Sequence, residues 1–153
     1  MGVDRGMLVV LWSASALLLA CSTPESKSTD THSTDFAEKG PKLDFLRKYM
    51  SHMEGVQDAE YHIIYHDNGS GWVPGPSDYS ITVALLIEPD SLGHWLDECE
   101  GKDTMVNINA WRGSLPGFDW SVTGTPYVCR PEPGVEKIVY EQDGIVLARY
   151  TTM

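Results

Sequence analysis

The segment YSITVALLI, from Tyr79 to Ile87, most constrains the fold because almost every one of its side chains is apolar or β-branched. Its length is typical of a strand, and a strand without polar alternation is covered on both of its faces. We therefore predict that this segment lies in the interior of a β-sheet.

Other segments supply neighbours for that strand. Apolar and polar residues alternate from Ala59 to His66, which predicts a strand with one buried face. The segments VEKIVYE (135–141) and IVLARYT (145–151) flank an Asp-Gly pair, a strong signal for a C-terminal β-hairpin. Two further strands are predicted over residues 104–111 and 127–130.

Two segments have apolar residues at helical spacing. The first begins at Pro41, which suits a first helical position, and Gly55 can end it. The second runs from Leu92 to Cys99. The expected fold is α+β, with one antiparallel sheet of about four to six strands, two short helices packed on one face and the C-terminal hairpin.

The first 21 residues contain an apolar run from Met7 to Ala20 that follows Arg5 and stops at Cys21. A run of about 14 residues is too short to span a bilayer comfortably and is typical of a signal-peptide core. A transmembrane anchor, or an ordinary secretory signal with a cysteine near its cleavage point, are the alternatives.

The residues Leu18, Leu19 and Ala20 before Cys21 resemble the lipobox of bacterial lipoproteins. The resemblance implies that Cys21 is acylated, becomes the mature N-terminus and holds the protein in a lipid bilayer of the cell envelope. Ser22, where an Asp would favour inner-membrane retention, implies the outer membrane facing the periplasm if the host is Gram-negative.

The predicted organisation has three parts. Residues 1–20 are the signal peptide, and residues 21–40 are a disordered tether, since eight of these twenty residues are Ser or Thr. Residues 41–153 form a single globular domain.

Cys99 and Cys129 are the cysteines that remain in the exported chain beside Cys21. An oxidising compartment favours their pairing, so we predict a disulfide. The competing interpretation is a nucleophilic cysteine assisted by His94.

The chain has 22 acidic and 11 basic residues, a formal net charge of -11. This charge repels polyanions, so nucleic acid is not an expected partner, whereas a basic protein or peptide is.

Aromatic and acidic residues in two loop regions are the candidate contacts for that partner. The first region contains Trp72 between Asp67 and Asp78, and the second contains Trp111, Phe118 and Trp120. The alternative for these aromatic residues is that they close the edges of a small core.

No metal site or cofactor is expected from these residues. Asp67 begins a segment that superficially resembles a calcium loop, but its pattern of oxygen ligands fails. His62 and His66 would lie about 13 Å apart on a strand, too far to share one ion, and are better interpreted as solvated or cross-strand-paired.

The chain contains none of the common catalytic sequence motifs, such as GxSxG, HExxH or a phosphate-binding loop. The preferred hypothesis is a membrane-anchored, non-catalytic acidic binding module, such as an inhibitor or immunity protein for a basic partner. The alternatives are a small envelope hydrolase acting on glycan or peptide, and a structural lipoprotein of the envelope.

Overall fold

The computed structural model describes residues 28–66, 78–97 and 99–152. Within these residues, no helix has the length and apolar character needed to cross a membrane. Cys21, Asp67 and Trp72 lie outside the described residues.

The described part contains one antiparallel sheet of seven strands in the order β1-β2-β3-β7-β6-β5-β4. The sheet consists of two meanders, β1-β2-β3 and β4-β5-β6-β7, which join where β3 pairs with β7. The strands are β1 Ser28–His32, β2 Val56–His66, β3 Asp78–Ile87, β4 Cys99–Lys102, β5 Tyr127–Cys129, β6 Val135–Tyr140 and β7 Ile145–Thr151. The helices are α1 Lys39–Leu46, α2 Leu92–Leu96 and α3 Ile108–Ser114.

One sheet surface, which we call face A, carries Tyr61, Val83 and Val146 and is covered by α1 and α2. Leu46 of α1 and Trp95 of α2 are buried in this core. The two predicted helices therefore share a face, as expected, and both are shorter than the sequence indicated.

The opposite surface, face B, carries Ala84 and Leu147 and is covered by α3 and the loop after it. Trp111 and Leu115, four residues apart, reach this second core. Since β3 contributes to both cores, its burial on both faces agrees with its continuous apolar sequence.

The α+β class and the single antiparallel sheet are confirmed, but seven strands exceed the expected four to six. The strand predicted over 104–111 is wrong, because α3 begins within it. The side-chain oxygen of Asn107 accepts from the backbone N–H of Asn109 at 3.1 Å and caps this helix.

The structure also corrects the prediction that residues 28–40 belong to a disordered tether. They form β1, a short 3-10 turn over Ser33–Asp35 and the start of α1. The domain therefore includes residues 28–40, ahead of the predicted start at Pro41.

A cluster of buried charges joins these N-terminal elements to the sheet. Lys42 Nζ of α1 lies 2.8 Å from Asp58 Oδ1 and 2.8 Å from Glu60 Oε1, and Ser33 Oγ donates to Glu60 Oε2 at 2.5 Å. The side chains of Lys42 and Glu60 are only 11% and 13% exposed. Burial alone would lower the pKa of Lys42, but its hydrogen bonds to Asp58 and Glu60 outweigh burial and raise that pKa.

The C-terminal hairpin is confirmed, with β6 and β7 joined by the turn 141–144. Gly144 has a φ of 65°, a conformation that favours glycine, and it lies against the carbonyl of Ile87. Asp143 of the same turn accepts hydrogen bonds from the backbone and hydroxyl of Thr123 at 2.6 and 2.8 Å.

Candidate functional site

The predicted contact residues in the second loop region belong largely to the core. Trp111 and Phe118 are 4% and 3% exposed, so the expectation that they contact a partner is corrected in favour of core closure. Trp120 is half-buried, and its ring meets Phe118 edge to face at 5.7 Å.

Asp78 is the only one of the three predicted first-loop residues that the described part includes. It begins β3 and pairs in register with His66 of β2. Asp67 and Trp72 lie outside the described residues.

The histidines of β2 have cross-strand neighbours on β1, in line with the predicted pairing. His62 Nε2 lies 2.8 Å from Asp30 Oδ1, and His66 Nδ1 lies 3.1 Å from Ser28 Oγ. Neither β1 residue was expected to be ordered.

An open groove lies on face A between the end of the α1 segment, α2 and the strands β3, β6 and β7. It consists of two adjoining cavities of about 240 and 320 Å³, which share His52 and Tyr150 as walls. We call it the tyrosine groove, and its lining includes Tyr49, His52, Glu54, Tyr79, His94, Asp97, Glu132, Lys137 and Tyr150.

The sheet register places the aromatic floor of the tyrosine groove. Tyr150 pairs with Ile81 on one side and with Val135 on the other, so its side chain lies on face A. Tyr79 lies near the start of β3, where its backbone N–H donates to Thr152 Oγ1 at 2.8 Å. Its side chain remains 37% exposed and accessible to a ligand.

The rim of the groove is fixed to α2 by a buried indole. Trp95 is 4% exposed, and its Nε1–H donates to the carbonyl of Glu54 at 3.2 Å. This bond orients the segment containing His52 and Glu54 along the groove. His94 Nε2 lies 3.7 Å from Glu54 Oε2, and both side chains remain exposed.

Negative charge predominates around the groove. Glu54, Asp97 and Glu132 supply three carboxylates, against the single ammonium group of Lys137. At neutral pH the lining therefore attracts cations.

Tyr150 is a neutral phenol under physiological conditions. Burial, with a smaller contribution from Tyr79, raises the pKa of Tyr150 to about 12. Its hydroxyl can therefore donate as well as accept a hydrogen bond at pH 7.

The groove combines aromatic surfaces with exposed carboxylates. This combination suits the binding of a lysine or arginine side chain, whose apolar stem packs on a ring while its charge meets a carboxylate. Sequence reasoning missed the groove because its walls come from five separate segments. The one available signal, Tyr150, was interpreted only as part of a hairpin strand.

A larger depression of about 560 Å³ lies beside the turn that joins β5 to β6 and is lined by Pro131, Pro133, Arg130, Glu136 and Arg149. Arg130 and Glu136 form an ion pair at 3.2 Å, and Arg149 lies over the ring of Trp111 at 4.8 Å. Glu132 lines this depression as well, but no aromatic residue does, so we regard the tyrosine groove as the stronger candidate.

Comparison with known proteins gave no relative: no family model, curated protein or solved structure matches the chain.

Proposed function

We propose that this chain is an envelope lipoprotein, anchored through Cys21, whose domain binds a basic segment of a partner protein in the tyrosine groove. The observation that carries the proposal is the groove itself, where Glu54 and Asp97 line one cavity with Tyr150, and Glu132 lines the adjoining cavity with Tyr79 and Tyr150. The partner is defined by its chemistry, a chain segment rich in lysine or arginine.

Support for export comes from the cysteines. Cys99 and Cys129 are joined by a disulfide that links β4 to β5. Disulfides persist in oxidising compartments and are rare in the cytosol. The lipobox-like residues before Cys21 favour the same destination.

Because β1 begins at Ser28, only residues 22–27 separate Cys21 from the sheet. Seven residue spacings separate Cys21 from Ser28, so even a fully extended chain spans at most about 25 Å. An anchored domain would therefore stay close to the bilayer surface, and its partner would be one that reaches this layer.

The acidity of the whole chain would assist the encounter. A formal net charge of -11 attracts a basic partner at long range, which raises the association rate and makes it depend on salt. The groove would then supply the short-range contacts.

A peptide-binding experiment tests the proposed site. Fluorescence anisotropy would compare a labelled peptide rich in lysine and arginine with a matched peptide in which glutamine replaces every basic residue. We expect the double variant Asp97→Lys and Glu132→Lys to weaken binding of the basic peptide about 10-fold, because each exposed ion pair contributes about 0.2 to 1 kcal/mol and reversal adds repulsion.

The double variant Glu141→Lys and Asp119→Lys is the matched control, since it changes the net charge by the same amount and both side chains are exposed and do not line the groove. It should change the affinity less than twofold, about 0.4 kcal/mol, the size of a weak exposed charge contact. Equal weakening by both variants would show binding to diffuse negative charge and would overturn the assignment to the groove.

The aromatic contribution has a separate test. Tyr79→Leu removes an exposed ring and should weaken the basic peptide about two- to fivefold, corresponding to a cation–π contact of about 0.5 to 1 kcal/mol. Tyr79→Phe keeps the ring and should retain the affinity. If leucine and phenylalanine behaved alike, the ring would have no part in binding.

The anchor is tested by metabolic labelling with a radioactive fatty acid. The protein should incorporate the label in a bacterial host, and Cys21→Ser should abolish incorporation and release the chain from the membrane fraction. A protein that stays unlabelled would contradict lipidation without affecting the groove.

A further inference from the structure

Asp30, His32 and His62 bring three metal-ligating side chains together where β1 pairs with β2. His62 Nε2 lies 2.8 Å from Asp30 Oδ1, and His32 Nε2 lies 3.8 Å from the same oxygen. One ligand atom from each of the three residues lies within 4.8 Å of the other two. The three ligand atoms therefore form a compact cluster.

The strand register produces this cluster. His32 and His62 are directly opposite each other in the antiparallel pair, and their rings stack at 4.0 Å with an interplanar angle of 12°. Asp30 precedes His32 by two residues and so extends from the same face of β1. Both Nε2 atoms lie near the Asp30 carboxylate, at 2.8 and 3.8 Å from its Oδ1.

The spacing fits a small tetrahedral ion. With metal–ligand bonds of about 2.0 to 2.1 Å, ligand atoms at two corners of a tetrahedron are about 3.3 Å apart. The observed separations of 2.8 and 3.8 Å lie on either side of that value. Because an imidazole binds a metal in the plane of its ring, the two stacked rings would turn toward each other on binding a shared ion.

The chemistry of the donors selects the class of metal. Two imidazole nitrogens with one carboxylate oxygen suit Zn²⁺ and neighbouring transition metals, whereas Mg²⁺ and Ca²⁺ prefer sites made of oxygen. Access is open, because the Asp30 side chain is 71% exposed and that of His32 is 37% exposed.

We infer that Asp30, His32 and His62 form a site for Zn²⁺ that crosslinks the edge strand β1 to β2. Three protein ligands leave a fourth position for water or for a ligand from another molecule. The bound ion adds a coordinate link where the strand pair otherwise depends on hydrogen bonds and ring stacking. This site is independent of the tyrosine groove and of the proposed function.

Isothermal titration calorimetry of the purified full chain with ZnCl₂ tests the site directly. We expect one Zn²⁺ per chain, with no binding of Mg²⁺ or Ca²⁺ under the same conditions. His32→Ala and Asp30→Ala should each weaken Zn²⁺ binding at least 10-fold, because even changes to residues behind the ligands cost about 10- to 100-fold.

Two histidines outside the cluster provide matched controls. His94→Ala removes an exposed imidazole near α2, and His66→Ala removes one on β2 that neighbours Ser28 instead. Both variants should retain the Zn²⁺ affinity within twofold. If His94→Ala or His66→Ala lowered the affinity as much as His32→Ala, or if Ca²⁺ bound as tightly as Zn²⁺, the inference would be overturned.

Hydrogen exchange supplies a readout of the crosslink. Zn²⁺ should slow the exchange of backbone amides in Ser28–His32 of the original chain and leave those of His32→Ala unchanged. Zn²⁺ that bound without protecting β1 would place the ion elsewhere and would contradict the assigned ligands.

Discussion

The two edge strands of the sheet, β1 and β4, are both short and polar, yet they are attached in different ways. β4 is joined to β5 covalently through Cys99 and Cys129, which face each other in the strand pair. β1 has no such bond and is held to β2 by side-chain contacts, including the Asp30–His62 pair. Neither edge strand has a stripe of apolar residues to bury. Each is therefore attached by a further contact, β4 by the disulfide and β1 by polar side chains.

Edge strands expose unpaired backbone groups, and polar side chains on them discourage aggregation. That polarity removes the apolar pattern that would otherwise bury a strand. The edges therefore depend on specific contacts, and each contact can be removed separately.

Removal of the disulfide should have the largest effect. The double variant Cys99→Ser and Cys129→Ser should lower the free energy of unfolding by about 3 to 4 kcal/mol, since the bond closes a loop of about 30 residues. Chemical denaturation would measure the loss. A change below about 1 kcal/mol would mean that β4 does not depend on its covalent link.

Replacement of Lys42 should have the next largest effect, at the opposite side of the sheet. Lys42→Met keeps the length of the stem but leaves the carboxylates of Asp58 and Glu60 without their cation, which should cost about 3 kcal/mol. Urea denaturation would measure it. Lys39→Met, an exposed replacement in the same helix, is the control and should cost less than about 0.5 kcal/mol.

Alkaline pH should destabilise the fold through groups that hold their protons more tightly in the folded chain, which include Lys42 and Tyr61 near β1 and Tyr150 on β7. The pKa of Lys42 is raised by its hydrogen bonds, against the effect of burial, and that of Tyr61 is raised by burial and by nearby Asp35 and Glu60. Unfolding releases these protons above about pH 10, so stability should fall as the pH rises beyond that point.

Thermal unfolding between pH 8 and pH 12 would test this dependence. The fall in Tm above pH 10 should be shallower in Lys42→Met and unchanged in the disulfide variant. A Tm that stayed constant up to pH 12 would contradict the raised pKa values.

The smallest effect is expected from the Asp30–His62 pair, which joins β1 to β2. Asp30→Asn removes an exposed charge from His62 and should cost only about 0.2 to 1 kcal/mol in the absence of metal. Hydrogen exchange of Ser28–His32 should detect the loosening more clearly than global unfolding does. A loss above about 2 kcal/mol would show that β1 is coupled to the core more strongly than its surface contacts suggest.

The same contrast explains how far the sequence predicts the fold. The five inner strands have alternating or continuous apolar patterns, and all five were predicted. The two strands that escaped prediction, STDTH and CEGK, are the two edges, where hydrophobic periodicity is absent.

The error at α3 has a different cause. Val106, Ile108 and Ala110 alternate as in a strand, but Trp111 and Leu115 have helical spacing, and Asn107 caps the helix that forms. Short segments that satisfy both periods are resolved only by their packing partners.

The candidate sites were less predictable than the fold. Tyr79, Glu132 and Tyr150 come together in the tyrosine groove only through the strand order, which joins the two meanders at β3 and β7. Asp30 and His32 lie in a segment whose composition indicates disorder, so their pairing with His62 required knowledge of the register.

A nuclear magnetic resonance titration of the ¹⁵N-labelled protein with the lysine- and arginine-rich peptide tests the central claim most directly. The account predicts that the largest shift changes map to the backbone amides of residues 49–54, 94–97 and 150, which surround the tyrosine groove. Shift changes centred on the acidic turn at Glu141 and Asp143, or the absence of changes at low salt, would contradict it.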